Sequence, residues 1–477
     1  MQTEVWTRAE GGYASHFVYG IGVTWDDTVL IACEARVGGG DADEKDLLVK
    51  RSTDQGRTWS PDQVIEGASD HASWSNPTFV TDGLTTYLFY TQSVSSDLGR
   101  VFVRTTRDNG RTWSERTELT HLWTGNPHHW TQLSAIGHGI KKLKEPHRGR
   151  VLVPFHHRRE VDRPPVQRGY GNDVILLGPD GWEIAGGPPL EPARGTNEAR
   201  LAERADGSLL LIARQAAGNN QLRARSVSSD GGRSWSAWET QADLRGTVCD
   251  SGLLRFSDAH LLYSFPAGVA RSAQQRQDLT IKASIDGGEH WNAGRMLHRG
   301  QATYSDLARD SHGNIYCIYG RDGTNFMGDR VFVARFNLEW AVGRPVATVL
   351  VDDRDAGFAA AGDWRETAVA GRFGPTARIA RAEPGRSVRA EWTASLAAGS
   401  HEVLLRWPEC PGASTAATVE LLRGDQVIAR QAVDQAVDPG AWFFVGTVAL
   451  EAADTVRVRL TADAGTLVAD AVMFQQH

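Results

Sequence analysis

Two histidine pairs, a loop of acids and four cysteines are the first residues whose types could do chemistry. "NPHHW" (residues 126–130) and "FHHRRE" (155–160) carry His128, His129, His156 and His157. Alternation along a strand turns one member of each pair to the opposite face of the sheet, so neither pair is expected to hold a metal. The acids cluster in "GGGDADEKD", with Asp41, Asp43, Glu44 and Asp46 close together. That cluster reads either as a solvated loop or as a source of a proton-transfer group. The cysteines Cys33, Cys249, Cys317 and Cys410 are scattered, the first three inside apolar runs such as "LIACEA" and "IYCIY". They are expected to be buried thiols, without disulfide or zinc-site spacing. No metal or cofactor is expected.

The elements that must position such groups announce themselves as repeats. "STDQGRTW" (52–59), "TRDNGRTW" (106–113), "SSDGGRSW" (228–235) and "SIDGGEHW" (284–291) share the pattern Ser/Thr-x-Asp-x-Gly-x-x-Trp. A weaker echo, "GPDGW", occupies 178–182. Each box reads as a hairpin turn. Its Asp accepts backbone hydrogen bonds, its Gly supplies a positive φ, and its Trp packs beneath. Alternating strands such as "DLLVKR", "VFVRTT" and "LTIKAS" precede the boxes. Neighbouring boxes begin 54 or 56 residues apart (52 to 106, 228 to 284). About that much chain makes one four-stranded antiparallel blade, so residues 1–345 predict a β-propeller of roughly six blades. The role of the boxes themselves is structural.

Beyond "FNLEWAVGRP" the boxes stop, and alternating strands such as "SVRAEWTA", "HEVLLRW" and "TVRVRLTA" take over. Residues 349–477 therefore predict a second domain, a β-sandwich of about seven strands. Its segments "VDDRDAGFAAAGDW", "GAWFFVGTVAL" and "LVADAVMF" resemble the golvesin-like domain of xanthan-lyase-type proteins. That resemblance implies an accessory module, either carbohydrate-binding or purely structural.

Composition limits the partners. Fifty glycines and sixteen tryptophans suit turn-rich β structure. A net charge of −7 lacks the basic face that nucleic acid demands. No apolar run nears the roughly 20 residues of a membrane span. The opening "MQTEVWTRAEGGYASHF" has no apolar leader core, which leaves the compartment open between cytoplasm and a processed, exported form. Oligomeric state is not legible.

Four stretches of the propeller together resemble the sialidase family. In "CEARVGGGDADEKDLLVKRSTDQGRTW" the resemblance implies that Arg36 is a pocket arginine and Asp41 the acid/base. "LSAIGHGIKKL" with "RGRVLVPF" parallels a family turn and strand, with Ile136 in place of the proline-bearing version. "TNEARLAERADGSLLLIAR" implies Glu198 as the catalytic glutamate and Arg214 as the second arginine of the family's triad. "QQRQDLTIKASIDGG" and "TYSDLA" imply Arg276 as the third arginine and Tyr304 as the nucleophile. The implied activity is retaining exo-hydrolysis of a terminal sialic acid or related acidic nonulosonate from a glycan. A sugar bearing a carboxylate beside its reacting carbon repels a carboxylate nucleophile, whereas a tyrosine can attack once a glutamate takes its proton. Arginine forks match the sugar carboxylate in a bidentate way.

Two departures mark the pattern. "HFVYGIGVTW" puts Gly20 near the place of the first triad arginine, while an ungapped register puts His16 or Phe17 there. "IYCIYGRDG" puts Gly320 where the family carries that arginine's glutamate partner. Loss of both partners is consistent with the cost of leaving one buried charge alone. The alternatives are a glycosidase or lyase acting on another terminal sugar, such as a uronate-linked rhamnoside, and a non-catalytic glycan-binding protein. A lyase would use His, Tyr and Arg to remove a proton beside a uronate, and a histidine could fill the place of the lost arginine.

Overall fold

The Asp-boxes form the turns their residues predict. In the computed structural model, Asp54 Oδ1 accepts the N–H groups of Arg57 and Thr58 at 3.1 and 2.9 Å, and Gly56, at φ +77°, donates its N–H to Ser52 Oγ at 2.9 Å. Asp230 repeats the arrangement with Arg233 and Ser234. Burial opposes ionisation of these acids, but the hydrogen bonds outweigh it and hold Asp54 and Asp230 down at about 2. The Trp59, Trp113, Trp235 and Trp291 side chains each pack against a separate apolar cluster. One further turn of this kind lies outside the motif: Asp310 accepts the N–H groups of His312 and Asn314 at 3.0 and 2.9 Å.

The structure describes all residues except 41–42, 68–71, 94–98, 124–128, 135, 162–166, 217–220, 269–274, 324–325, 384–386 and 477, and no side-chain detail for 129–134, 158–161 and 167–169. Among the described residues the chain is almost entirely β, with one short α-helix, Leu338–Val342, capped by Asn337. It separates into two units, residues 1–81 with 86–344, and residues 82–85 with 345–477.

In the first unit the strand pairings fall into antiparallel meanders. Ser15–Val23, Val29–Arg36, Lys45–Ser52 and Gln63–Glu66 make one, and Ser73–Asp82 through Thr117–Glu118 the next. The series continues through Val151–Val161 and Gln167–Gly178, through Thr196–Glu203 to Glu239–Arg245, and through Gly252–Ser257 to Arg295. The last meander is completed by the chain's beginning: Gln2–Thr7 pairs with Arg330–Phe336, Gln2 facing Ala334. Apolar layers such as Leu30, Ala32, Val49, Phe79, Leu88 and Tyr90 fill the space between successive sheets. This is the propeller architecture read from the repeats. Cys33, Cys249 and Cys317 are buried free thiols, as expected, and Cys410 is a half-buried one.

The second unit holds twelve described strands, Thr348–Val351 to Ala471–Gln476, where about seven were expected. The extra ones are short edge strands, such as Arg365–Thr367 and Phe358–Ala361, which lack an alternating pattern long enough to read. Val388–Leu396 shows the alternation plainly, its residues 388, 390, 392, 394 and 396 all buried. These face Val403, Leu405, Val445 and Phe474 of another sheet in one core, which makes the unit a β-sandwich.

Candidate active site

Three strands that carry site residues break register where those residues lie. Pairing shifts between Phe17 and Tyr19, between Thr196 and Ala199, and between Ala302 and Ser305. The extra residue of such a bulge re-aims a side chain that strict alternation would send elsewhere. At the first bulge Val18 takes φ +54°, a conformation costly for a β-branched residue. The other two bulges contain Glu198 and Tyr304.

Those two meet. The Tyr304 hydroxyl donates to Glu198 Oε1. Arg214 Nη1 binds both, at 2.6 Å from Glu198 Oε2 and 3.0 Å from the phenol oxygen. Arg276 stands over the Tyr304 ring at 5.0 Å, its Nη1 donating to Thr303 Oγ1 at 3.2 Å and to the Phe326 carbonyl at 3.3 Å. The structure thus brings Glu198, Tyr304, Arg214 and Arg276 into one group.

Electrostatics differentiate the pair. Burial pushes Glu198 up, but the Arg214 charge, the Tyr304 hydroxyl and His156 outweigh it and leave the carboxyl below its usual range. Burial and the Glu198 charge push Tyr304 well above the usual phenol range, against the pull of Arg214 and Arg276. At neutral pH the glutamate is therefore ionised and the tyrosine holds its proton. That is the state from which the one can take the proton of the other.

Arg36 is buried beside this group and already engaged. Its Nε and Nη2 donate to Glu34 Oε2 at 3.1 and 2.7 Å, and its guanidinium lies 5.0 Å over the Phe17 ring. Glu34 also takes Lys45 at 3.4 Å and the Asn76 N–H at 3.1 Å. Asp41 and His128 lie outside the described residues, as does the His129 side chain.

Phe17 packs against the Tyr304 group. Its ring centroid lies 4.6 Å from that of Tyr304 and 5.9 Å from that of Phe326. Gly20 points elsewhere: a Cβ there would stand 2.7 Å from the Pro77 carbonyl oxygen and 3.3 Å from that of Gly137. The bulge at Val18 lies between the two positions and leaves Phe17, not Gly20, beside Tyr304. His16 faces the other way, between Trp6 and Tyr13, at centroid distances of 6.0 and 5.6 Å. At Gly320 a Cβ would fall 2.4 Å from both Tyr19 Oη and Thr303 Cγ2, so Tyr19 occupies that space. Of the described histidine pair, His156 acts on Glu198, and His157 Nδ1 meets Asp173 at 2.9 Å.

Beneath the pair lies a buried ionic cluster that the motif reading missed. Arg200 binds Asp250 at 2.6 Å and Asp306 at 3.3 Å, and Asp306 also meets His138 Nδ1 at 2.8 Å. Burial, with the Glu198 charge adding, pushes Asp250 up to about 8 despite Arg200. The signal was present: Arg200 follows Glu198, and Asp306 follows Tyr304, by two residues, the period that returns a strand residue to the same face.

The family described as BNR repeat-like domain matches residues 27–317, and the Golvesin C-terminal domain matches 349–476. A sialidase of Micromonospora viridifaciens is 28% identical over 363 residues, covering 70% of this chain and 53% of its own length. An exo-alpha-sialidase of Arthroderma benhamiae is 23% identical over 323 residues, 60% of this chain and 72% of that protein. The chain spans about half the length of the Micromonospora relative. Among solved structures, a Hadza microbial sialidase superposes with a TM-score of 0.61 at 21% identity, covering 72% of this chain and 69% of that one. An intramolecular trans-sialidase from Ruminococcus gnavus does so with 0.60 at 14% identity, covering 72% and 99%.

Proposed function

The chain belongs to the BNR repeat-like domain family of the sialidase superfamily, and on that premise we propose that it is a retaining exo-glycoside hydrolase with Tyr304 as nucleophile. Family membership supports a glycoside hydrolase of sialidase type. The observation that carries the finer reading is the Tyr304–Glu198 hydrogen bond clamped by Arg214.

In the first step the Tyr304 oxygen bonds to the anomeric carbon and its proton passes to Glu198. The glycosidic bond breaks as Asp41, in its family role, protonates the departing oxygen. In the second step water attacks the same carbon, Asp41 takes the water's proton, and the phenol leaves with the proton returned by Glu198. Two displacements give net retention. Arg214 and Arg276 would hold the substrate carboxylate, with Arg36, balanced by Glu34, in its family role as a pocket arginine. The substrate is a glycan ending in sialic acid or a related acidic nonulosonate.

Phe17 favours a second reading, in which the first subsite accepts a different terminal sugar. An aromatic face offers apolar contact where an arginine would offer charge, so the carboxylate loses one charge-assisted partner. Such a partner contributes about 1.5–3 kcal/mol, or roughly 10- to 150-fold in affinity. Release of 4-methylumbelliferone from its α-sialoside, compared with Tyr304→Phe, tests the first reading. Turnover abolished by the substitution supports it. No turnover by a folded chain, with release from another terminal sugar, favours the second. An unsaturated uronate product absorbing in the near ultraviolet would instead mark a lyase and sink both.

A further inference from the structure

The C-terminal sandwich collects three acids at one point. Asp352 and Asp353 leave the strand Thr348–Val351, and Asp470 lies between Gly465–Ala469 and Ala471–Gln476. A carboxylate oxygen from each lies within 4.8 Å of the other two. All three residues are buried, Asp470 completely.

Part of this set is already bonded. Asp470 Oδ2 accepts the Phe373 N–H at 2.8 Å. Asp353 takes the Thr376 hydroxyl at 3.2 and 3.3 Å and Arg378 Nε at 3.2 Å. Of the other oxygens, Asp470 Oδ1 and Asp352 Oδ1 are buried with no hydrogen-bond partner. Arginine side chains face the cluster. Arg378 is one, and another is Arg406, which acts on Asp470 while its Nε donates to the Gly371 carbonyl at 3.1 Å. Arg354 also acts on Asp352, while Asp355 and Glu366 add negative charge beside the cluster. Leaving a buried carboxylate oxygen without a partner is costly, so an occupant that bonded both orphan oxygens would stabilise this point.

The donor set specifies that occupant. Every candidate ligand atom is a carboxylate oxygen, which suits a hard divalent cation and not zinc or copper. Oxygens within 4.8 Å of one another can share an ion bound at about 2.3–2.6 Å, the range of calcium, whose flexible geometry asks less of a protein site than magnesium's strict octahedron at about 2.0–2.1 Å. We propose that Asp352, Asp353 and Asp470 form a calcium-type cation site that locks the first and last strands of the sandwich together.

The test uses the full chain, stripped with EDTA and returned to millimolar CaCl2 or MgCl2, with melting followed by calorimetry. Calcium is expected to raise the melting temperature of one transition by roughly 5–10 °C, magnesium by less. Asp470→Asn is expected to fold and to lose the calcium-dependent rise. Terbium, excited through Trp392, whose indole N–H donates to the Asp470 carbonyl at 3.1 Å, is expected to luminesce and to be displaced by calcium. Should Asp470→Asn fail to fold, terbium titration of the unmodified chain decides alone. Equal melting in calcium and EDTA without terbium luminescence overturns the site, and so does a calcium response that survives in Asp470→Asn.

Discussion

Tyr304 donates its hydroxyl proton to Glu198 Oε1 while a single Arg214 nitrogen holds both partners. Two residues further along the same strands, Arg200 Nε reaches Asp306 Oδ1 at 3.3 Å. The strands Thr196–Glu203 and Arg295–Arg309 are therefore tied by two stacked polar contacts on one face, the upper suited to chemistry and the lower to holding position.

Tyr304→Phe removes the attacking oxygen, and Glu198→Gln removes the proton acceptor while keeping the shape. Each is expected to lower kcat for a cleaved glycoside by about 10²–10⁴-fold. Because its surroundings lower the Glu198 carboxyl from 4.5, the acid limb that it sets in the rate profile should lie below pH 4.5. A profile whose Glu198-dependent limb falls near pH 6 would contradict this assignment.

Phe17→Arg tests the specificity argument. If Phe17 weakens carboxylate binding, the substitution should lower KM for an α-sialoside by about 10-fold or more, with a smaller change in kcat. Phe17→Leu should leave the preference between sugars nearly as it was. An unchanged KM in a folded Phe17→Arg variant would remove Phe17 from the account of specificity.

His16 gives the propeller a pH-dependent stability. Burial lowers its pKa from 6.5 to about 4. The unfolded chain binds the proton first as pH falls, so stability is full above about pH 6.5 and is lost progressively down to about pH 4, where the loss levels off. A fall from 6.5 to about 4 corresponds to roughly 3 kcal/mol at most. Unfolding free energies from denaturant titrations at pH 7.5 and 4.5 should differ by about 2.5 kcal/mol more in the parent than in His16→Phe. Equal differences in the two would mean that His16 does not carry the effect.

Asp230→Ala removes the acceptor at the centre of one Asp-box turn. Stability is expected to fall by about 1–3 kcal/mol, lowering Tm by a few degrees, with kcat unchanged. A variant with parental Tm and impaired turnover would assign the box a role in the site.

The propeller was legible because its turns are written in full: Asp, Gly and Trp at fixed spacing leave few alternatives. The edge strands of the sandwich were not, since a three-residue strand such as Arg365–Thr367 carries no period. Within the site, the residue types of Glu198, Arg214, Arg276 and Tyr304 pointed to one group. The choice among Gly20, His16 and Phe17 stayed open in the sequence, because which of them lies beside Tyr304 depends on the bulge at Val18, and a positive φ at a valine has no sequence signature. The partnership of Glu34 with Arg36 escaped for another reason: two residues of one strand were read for a family position and not for each other.

The pairing of Gln2–Thr7 with Arg330–Phe336 also bears on how the chain is made. At about 5–20 residues per second, the partner of Gln2 leaves the ribosome roughly 15–65 s after Gln2 itself. Until then Ser15–Val23 and its neighbours can pair locally, but the ring stays open, with a bare strand edge at each side of the gap. Joining ends more than 300 residues apart costs on the order of 5 kcal/mol in chain entropy, which the new hydrogen bonds and buried Trp6 must overcome. The closing strand is thus a timing device for biosynthesis, and the interval before closure is when this chain is most exposed to edge-to-edge association.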